Sequence, residues 1–131
     1  MAKYSYIGKD VPRLDAFEKV TGTALYTGDL RFPGMLHTKL LKSSLGHARI
    51  VNIDTSEAEK LPGVRAILTG KEARYKFGIY MSDKTVLASD KVRHVGEPVA
   101  AVAADTEEIA EQAVELIKVE YEELPGAFGV R

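Results

Sequence analysis

The sequence predicts an α+β domain: a β-rich mixed sheet with two main helices. Three observations carry that prediction. Short segments with period-two alternation outnumber segments with helical period. Glycine and proline cut the chain into pieces mostly too short to place crossover helices between strands. The one long helical pattern, in "VAAVAADTEEIAEQAVELI" (Val99 to Ile117), directly follows an apolar strand. With 131 residues, the chain is expected to form one domain, residues 1–131, able to bury about two-thirds of its unfolded surface.

The elements follow in order. "LDAFEKV" predicts one helical turn ended by Thr21-Gly22, and "TALY" a short strand. "TGDLRFPGM" is a loop. "LHTKLLKS" is strand-like, with Leu36, Thr38 and Leu40 on one face. After a turn at "SLGH", "ARIVNID" forms the next strand. Asp54 and Glu57 have the spacing of a reciprocal capping pair, and Pro62-Gly63 stops the helix they would open. "VRAILTG" alternates as a half-buried strand. "KEARYKFGIYMSDKTVLASDKVRHVGEP" has weak periodicity and predicts one helical turn, short strands and a mobile loop. Val99–Ala104 is apolar throughout, as in a strand covered on both faces. Ile109, Ala110, Ala113, Leu116 and Ile117 then form one helical stripe, with Glu107, Glu108, Glu111 and Glu115 opposite. "KVEYEEL" closes as a strand with Val119 and Tyr121 on one face.

Composition excludes several classes. There is no cysteine, so disulfides, thiolate nucleophiles and cysteine-based metal sites are absent from this chain. No run approaches eighteen apolar residues, and "MAKYSYIGKD" lacks the apolar segment of a signal peptide. These features fit a cytoplasmic location without a membrane. Net charge is −1 but uneven: the first fifty residues carry eight basic groups against four acidic. From Asp105 onward eight carboxylates stand against Lys118 and Arg131. A solvated helix face accounts for that acidic run more simply than a basic partner does. No basic stripe with interleaved aromatics suggests nucleic acid.

Reactive groups are sparse. The strand-to-helix turn "AADTEE" has no glycine, and Asp105, Glu107 and Glu108 would repel a phosphate there. Gly22, Gly28 and Gly34 match no phosphate-binding fingerprint and suit turns. His37, His47 and His94 lack helical metal-site spacing, although a fold could gather them. Ser43, Ser44, Ser56, Ser82 and Ser89 include none in a nucleophile elbow. Glu107-Glu108 and Glu122-Glu123 are adjacent pairs whose side chains diverge. Tyr75, Phe77, Tyr80 and Met81 form an aromatic-rich patch, suited either to an interface or to covering the core. Gly96, in the turn before Pro98, is expected to hold a backbone conformation that alanine tolerates poorly.

Four ordered stretches carry a resemblance: "GKDVPRLDAFEKVTGTALYTGDLRFPGMLH", "GHARIVNIDTSEAEKLPGVRAILTG", "LASDKVRHVGEPVAAVAADTEEIAEQA" and "VEYEELP". Over about residues 7 to 125 the chain resembles the N-terminal α/β-hammerhead domain of the large subunit of molybdenum hydroxylases. That family includes xanthine dehydrogenase, aldehyde oxidase, carbon monoxide dehydrogenase and nicotinate dehydrogenase. Two turns depart from the common pattern: Ser43-Ser44 replaces Ser-Pro, and "LPGAFG" replaces "LPAVFD".

The resemblance implies an α/β-hammerhead with helices over about 55–61 and 106–117. It implies a structural N-terminal piece of a longer oxidoreductase subunit that hydroxylates an aldehyde or N-heteroaromatic substrate. The full-length family implies molybdenum on molybdopterin (cytosine dinucleotide), with iron–sulfur and FAD centres on partner domains or subunits. The implied partners are the C-terminal molybdopterin-binding domains of the same subunit and the iron–sulfur and flavin subunits or domains. No residue of this chain matches the family's catalytic, cofactor-binding or metal-binding motifs, so the fragment alone is expected to be inactive. The loop around Tyr75–Met81 is the expected contact with the iron–sulfur partner. The competing expectation is a free-standing binding or adaptor module that reuses the fold.

Overall fold

The apolar strand before the long helix becomes the centre of a sheet. The structure, a computed structural model, describes residues 5–73, 75–127 and 129. Arg74 in the weakly patterned section and Phe128 in "LPGAFG" lie outside the described residues. The chain divides into two compact units, one ending at Pro33 and one beginning at Gly34.

The second unit contains strands β1 (His37–Lys42), β2 (Ala48–Asp54), β3 (Val64–Thr69), β4 (Lys76–Phe77), β5 (Lys84–Thr85), β6 (Lys91–Val92), β7 (Pro98–Ala104) and β8 (Lys118–Glu123). They form two three-stranded sheets, β1-β7-β3 and β6-β2-β8, and a ribbon, β4-β5. The described pairings are antiparallel, so the expected mixed sheet is divided and of one sense. Pro98 can open the central strand because it sits at the strand's first position, where the missing N–H interrupts no ladder. The ladder then runs from His37↔Ala104 to Leu41↔Ala100 before a bulge shifts Lys42 onto Pro98.

Helix α3 (Glu107–Leu116) matches the long helical expectation with one end residue fewer on each side. Thr106 caps it: its side chain accepts the Ile109 N–H at 3.3 Å. Ala110, Ala113 and Ile117 are buried as expected, with Val114 beside them in the core. Leu116 is not part of that stripe; it is 38% exposed, rotated toward the flank. The buried contacts of α3 are small. Ala113 and Ile117 meet Ala100 and Val102 of β7 and Ala58 of α2 (Ser56–Glu59). A second cluster gathers Ala48, Ile50, Ala88, Val92 and Val99, and Ile53 and Val119 pack against both clusters. Adjacent residues Val99 and Ala100 therefore point into different cores, as the strand's alternation requires.

Several expectations change. β7 is fully buried only on the face carrying Ala100, Val102 and Ala104; Ala101 and Ala103 are half-buried. In β1, Leu36, Thr38 and Leu40 do share one face, and it is the exposed one; His37, Lys39 and Leu41 turn inward. The reason is electrostatic as well as apolar. Lys39 lays its stem beneath α3 and its ammonium meets Glu107 at 2.6 Å and Glu111 at 2.7 Å, one helical turn apart. The pairing raises the lysine and lowers Glu107 from their ordinary values.

The expected Asp54–Glu57 pair is only half formed. Asp54 accepts the Ser56 N–H at 3.0 Å, and the Ser56 hydroxyl first, together with that N–H, holds its carboxyl below the usual range. Glu57 instead pairs with Lys60 at 2.8 Å, and Thr55 donates to Glu59 at 2.6 Å. Competing local bonds thus shorten the helix from the expected 55–61 to four residues. The weak section does contain its single turn, where the Ala73 N–H reaches the Thr69 carbonyl at 3.1 Å.

In the first unit, helix α1 (Ala16–Val20) is the expected turn, ended at Gly22 with φ +71°. "TALY" is not a strand. The Thr23 and Ala24 N–H groups both turn back to the Glu18 carbonyl, at 2.9 and 3.0 Å, and so cannot join a ladder. A 3-10 turn, Thr27–Asp29, follows, closed by the Tyr26 N–H on the Asp29 carboxylate at 2.9 Å.

Three stability outcomes follow from this packing. Ala113→Leu, which overfills the α3–β7 contact, should cost about 1–3 kcal/mol by chemical denaturation. Leu116→Ala should cost under about 1 kcal/mol, because that side chain is partly solvated. Equal losses for the two would contradict the observed rotation of the helix.

Glycine at 70 is required for a different reason from glycine at 96. A Cβ at Gly70 would overlap the Ala88 carbonyl, whereas Gly96 has open space but a φ of +84°. Gly70→Ala should lower stability by about 3 kcal/mol, Gly96→Ala by about 1–2 kcal/mol. Melting temperatures in the reverse order would refute this.

Arg65 on β3 grips Asp105 with two bonds, 2.7 and 2.8 Å, which holds the Asp105 carboxyl below its ordinary 3.8. A depressed carboxyl stabilises above its unfolded value, and that contribution disappears as pH falls through the folded one. The stability gap between wild type and Asp105→Asn should therefore shrink from about pH 5 to about pH 2. A gap independent of pH would show that the pair contributes nothing.

Candidate functional site

The strand-to-helix turn uses part of its backbone donors locally. The Thr106 side chain occupies the Ile109 N–H, and the Asp105 N–H donates to the Gly63 carbonyl at 2.9 Å. Gly63 is needed there because its φ is +94°; a Cβ would also press on the tip of the Ile109 side chain. The three histidines do not assemble. His47 Nδ1 lies 2.7 Å from the Pro125 carbonyl oxygen, and His94 Nδ1 lies 3.0 Å from that of Val95. Among the described residues no group of three or more His, Asp or Glu could hold a metal ion. Ser43 is buried as a turn former: its hydroxyl donates to the Leu45 carbonyl and accepts the Leu45 N–H, both at 3.0 Å. The acidic pairs also diverge. Glu107 turns to Lys39, and Glu122 to Arg49 at 3.2 Å.

The patch at Tyr75–Met81 behaves differently. Strands β4 and β5 pair Lys76 with Thr85 and Phe77 with Lys84, leaving a tip between them. The tip turns at Gly78 (φ +147°) and at Ser82, a non-glycine residue at φ +48°. Ser82 Oγ donates to the Gly78 carbonyl at 3.2 Å and fixes the loop. Ile79 and Tyr80 are 94% and 95% exposed, and Met81 and Tyr75 are also exposed. These side chains are exposed and do not cover the core.

Beside the ribbon lies a cleft of about 390 Å³. Phe77, Val86 and Pro98 line it together with the charged or polar Asp83, Lys84, Thr85, Arg93, His94 and Glu97. The 93–97 side is built by the turn before β7. The Gly96 N–H donates to the Ser43 carbonyl at 2.8 Å, and the Ser43 N–H to that of Glu97 at 2.9 Å. The largely buried Glu97 carboxylate accepts the Arg93 N–H, and the Arg93 guanidinium donates to the Lys91 carbonyl at 3.1 Å. Arg93 and Glu97 are thus engaged locally. Sequence reasoning singled out the tip by its aromatic residues. It missed the cleft wall at 93–98, whose position depends on a backbone pairing with Ser43, far earlier in the chain.

Comparison with known proteins agrees with this architecture. The family model described as "Aldehyde oxidase and xanthine dehydrogenase, a/b hammerhead domain" matches residues 21–125. A probable xanthine dehydrogenase subunit of Bacillus subtilis (strain 168) is 54% identical over 114 residues, covering 86% of this chain and 15% of that protein. The "Nicotinate dehydrogenase large molybdopterin subunit" of Eubacterium barkeri is 41% identical, covering 95% of this chain and 30% of that protein. The crystal structure of quinoline 2-oxidoreductase from Pseudomonas putida 86 superposes with a TM-score of 0.86 at 40% identity, over 98% of this chain and 18% of that one. The chain thus spans less than a third of the length of each. With a family match over most of its length and the same fold at 40% identity, the chain belongs to the α/β-hammerhead domain family of the aldehyde oxidases and xanthine dehydrogenases.

Proposed function

We propose that this chain serves as one structural domain within a large subunit of a molybdenum hydroxylase, an oxidoreductase acting on an aldehyde or N-heteroaromatic substrate. The observation that carries this is the 54% identity to a xanthine dehydrogenase subunit of which the chain covers 15%. Chemistry then belongs to other parts of the protein. The whole protein carries molybdenum on molybdopterin, as the cytosine dinucleotide, and passes electrons to iron–sulfur and FAD centres in partner domains or subunits. It works in the cytoplasm; among the described residues no helix is long and apolar enough to cross a membrane.

The residues of this chain do not fit the cofactor itself. The start of α3 is already capped, and the buried side-chain polar atoms described are all hydrogen-bonded. No candidate ligand cluster is present among the described residues. The role left to the domain is to present shape. A fixed, aromatic-rich tip and an adjoining cleft suit contact with the iron–sulfur partner, since tyrosine and methionine are favoured at interface centres.

The purified 131-residue chain, expressed with a molybdenum supply, should hold no stoichiometric molybdenum by elemental analysis. It should also show no hydroxylation of aldehydes, purines or pyridines. One tightly held molybdenum per chain would overturn the structural role.

A further inference from the structure

Strand β8 ends at Glu123, and its pairing with β2 stops one residue later. The last register pair is Ala48 with Glu123. Beyond it the Leu124 N–H donates to the His47 carbonyl at 3.0 Å. A hydrogen-bonded antiparallel pair exchanges two bonds. Among the described residues no bond returns from the His47 N–H to the Leu124 carbonyl. The next residue explains why the ladder fails. Pro125 fixes its own φ, has no N–H to offer, and restricts the residue before it.

A side chain takes over where the backbone pairing stops. His47 Nδ1 lies 2.7 Å from the Pro125 carbonyl oxygen. A carbonyl only accepts, so Nδ1 carries a hydrogen and donates. His47 therefore holds two successive residues of the outgoing segment, Leu124 through its own carbonyl and Pro125 through its ring. His47 is itself well placed to do so. It closes the turn 43–47, in which the Ser43 hydroxyl bridges the Leu45 N–H and carbonyl, each at 3.0 Å. Leu45 packs against the cluster of Ala48, Val92 and Val99. Ser43, at the far end of the turn, is bonded to Gly96 and Glu97 at 2.8 and 2.9 Å. One turn thus fastens the residues before β7 at one end and those after β8 at the other. Gly46, His47, Arg93, Pro125, Gly126 and Ala127 line one cleft of about 300 Å³, so the segment past Pro125 stays beside this turn.

We infer that His47 is a positioning residue: its imidazole latches the Pro125 carbonyl to the 43–47 turn and so sets the direction in which the chain leaves the second sheet. The latch needs one N–H on an atom bonded to Cγ, not a ring as such. In a long subunit of the kind proposed above, that direction is the one in which the following part of the chain sets out. A segment held in one orientation has less freedom to lose when it docks. This consequence rests on the proposed place of the chain, whereas the latch concerns this chain alone.

The test is backbone ¹⁵N relaxation on the 131-residue chain. In the wild type, the amides of Gly126 and Ala127 should show order parameters near about 0.85, as in rigid backbone. His47→Phe keeps a planar ring without the donor, and His47→Ala removes both; each should lower these two values below about 0.6. His47→Asn puts an amide N–H on Cγ and should keep them high. Val119 and Tyr121 in β8 should hold their wild-type values in all three variants, which a general loss of stability would not allow. Low order parameters at residues 126 and 127 in the wild type overturn the latch. So do unchanged values in the Phe and Ala variants, an Asn variant as loose as the Phe variant, or loosening that spreads through β8.

Discussion

The packing of strand β7 is the constraint on which the larger unit depends. It pairs on one side with β1 and on the other with β3, and one of its faces receives α3. Its side chains are proline, valine and alanine only. Small side chains let the helix backbone seat close to the sheet, so modest residues can fill the core without voids. Val99 and Ala100 then send the strand's two faces into two clusters, which ties the second sheet to the first. A larger residue at Ala100 or Ala113 would disturb both sheets through one strand. The Arg65–Asp105 and Lys39–Glu107 contacts secure the same junction from its solvated side, linking β3 and β1 to the start of α3.

Much of this was legible wherever a single period dominated. The alternation of Val119 and Tyr121 in β8 and the helical spacing of Ile109, Ala110 and Ala113 reflect burial on one face, and burial on one face writes a period into the sequence. Which face of β1 turns inward was not legible, because that strand breaks the rule. Its inward Lys39 is polar by composition but buries its stem, and its outward Leu40 is apolar but exposed. Only the distant carboxylates on α3 explain the choice, and a pair so far apart in the chain leaves no local signal. "TALY" failed for the opposite reason. Strand-forming side chains were overruled by two local hydrogen bonds to Glu18. At the candidate site the aromatic tip was visible by residue type. The cleft was not, because its rim depends on the docking of two turns and on a glycine conformation at residue 96.

The distribution of side-chain size carries a further consequence. The buried set is dominated by alanine and valine, while phenylalanine, tyrosine, isoleucine and methionine stand outside at the hairpin tip. The outer face of the first sheet repeats the pattern. Leu40 and Leu68 flank Ala101 in one row, and Thr38 and Ala66 flank Ala103 in the next, with no charge among them. A monomer that functioned alone would gain by burying its large apolar groups and exposing its small ones, because each large group removed from water contributes about 1.5–3 kcal/mol. Here many of the large groups stay outside while alanines fill much of the core. That placement makes sense if the small residues serve to hold a thin, rigid scaffold and the large ones serve contacts made elsewhere. Fold membership alone would not require this. It is this placement of size, seen separately in the tip and in the sheet face, that favours a domain built to be covered over a module built to act alone.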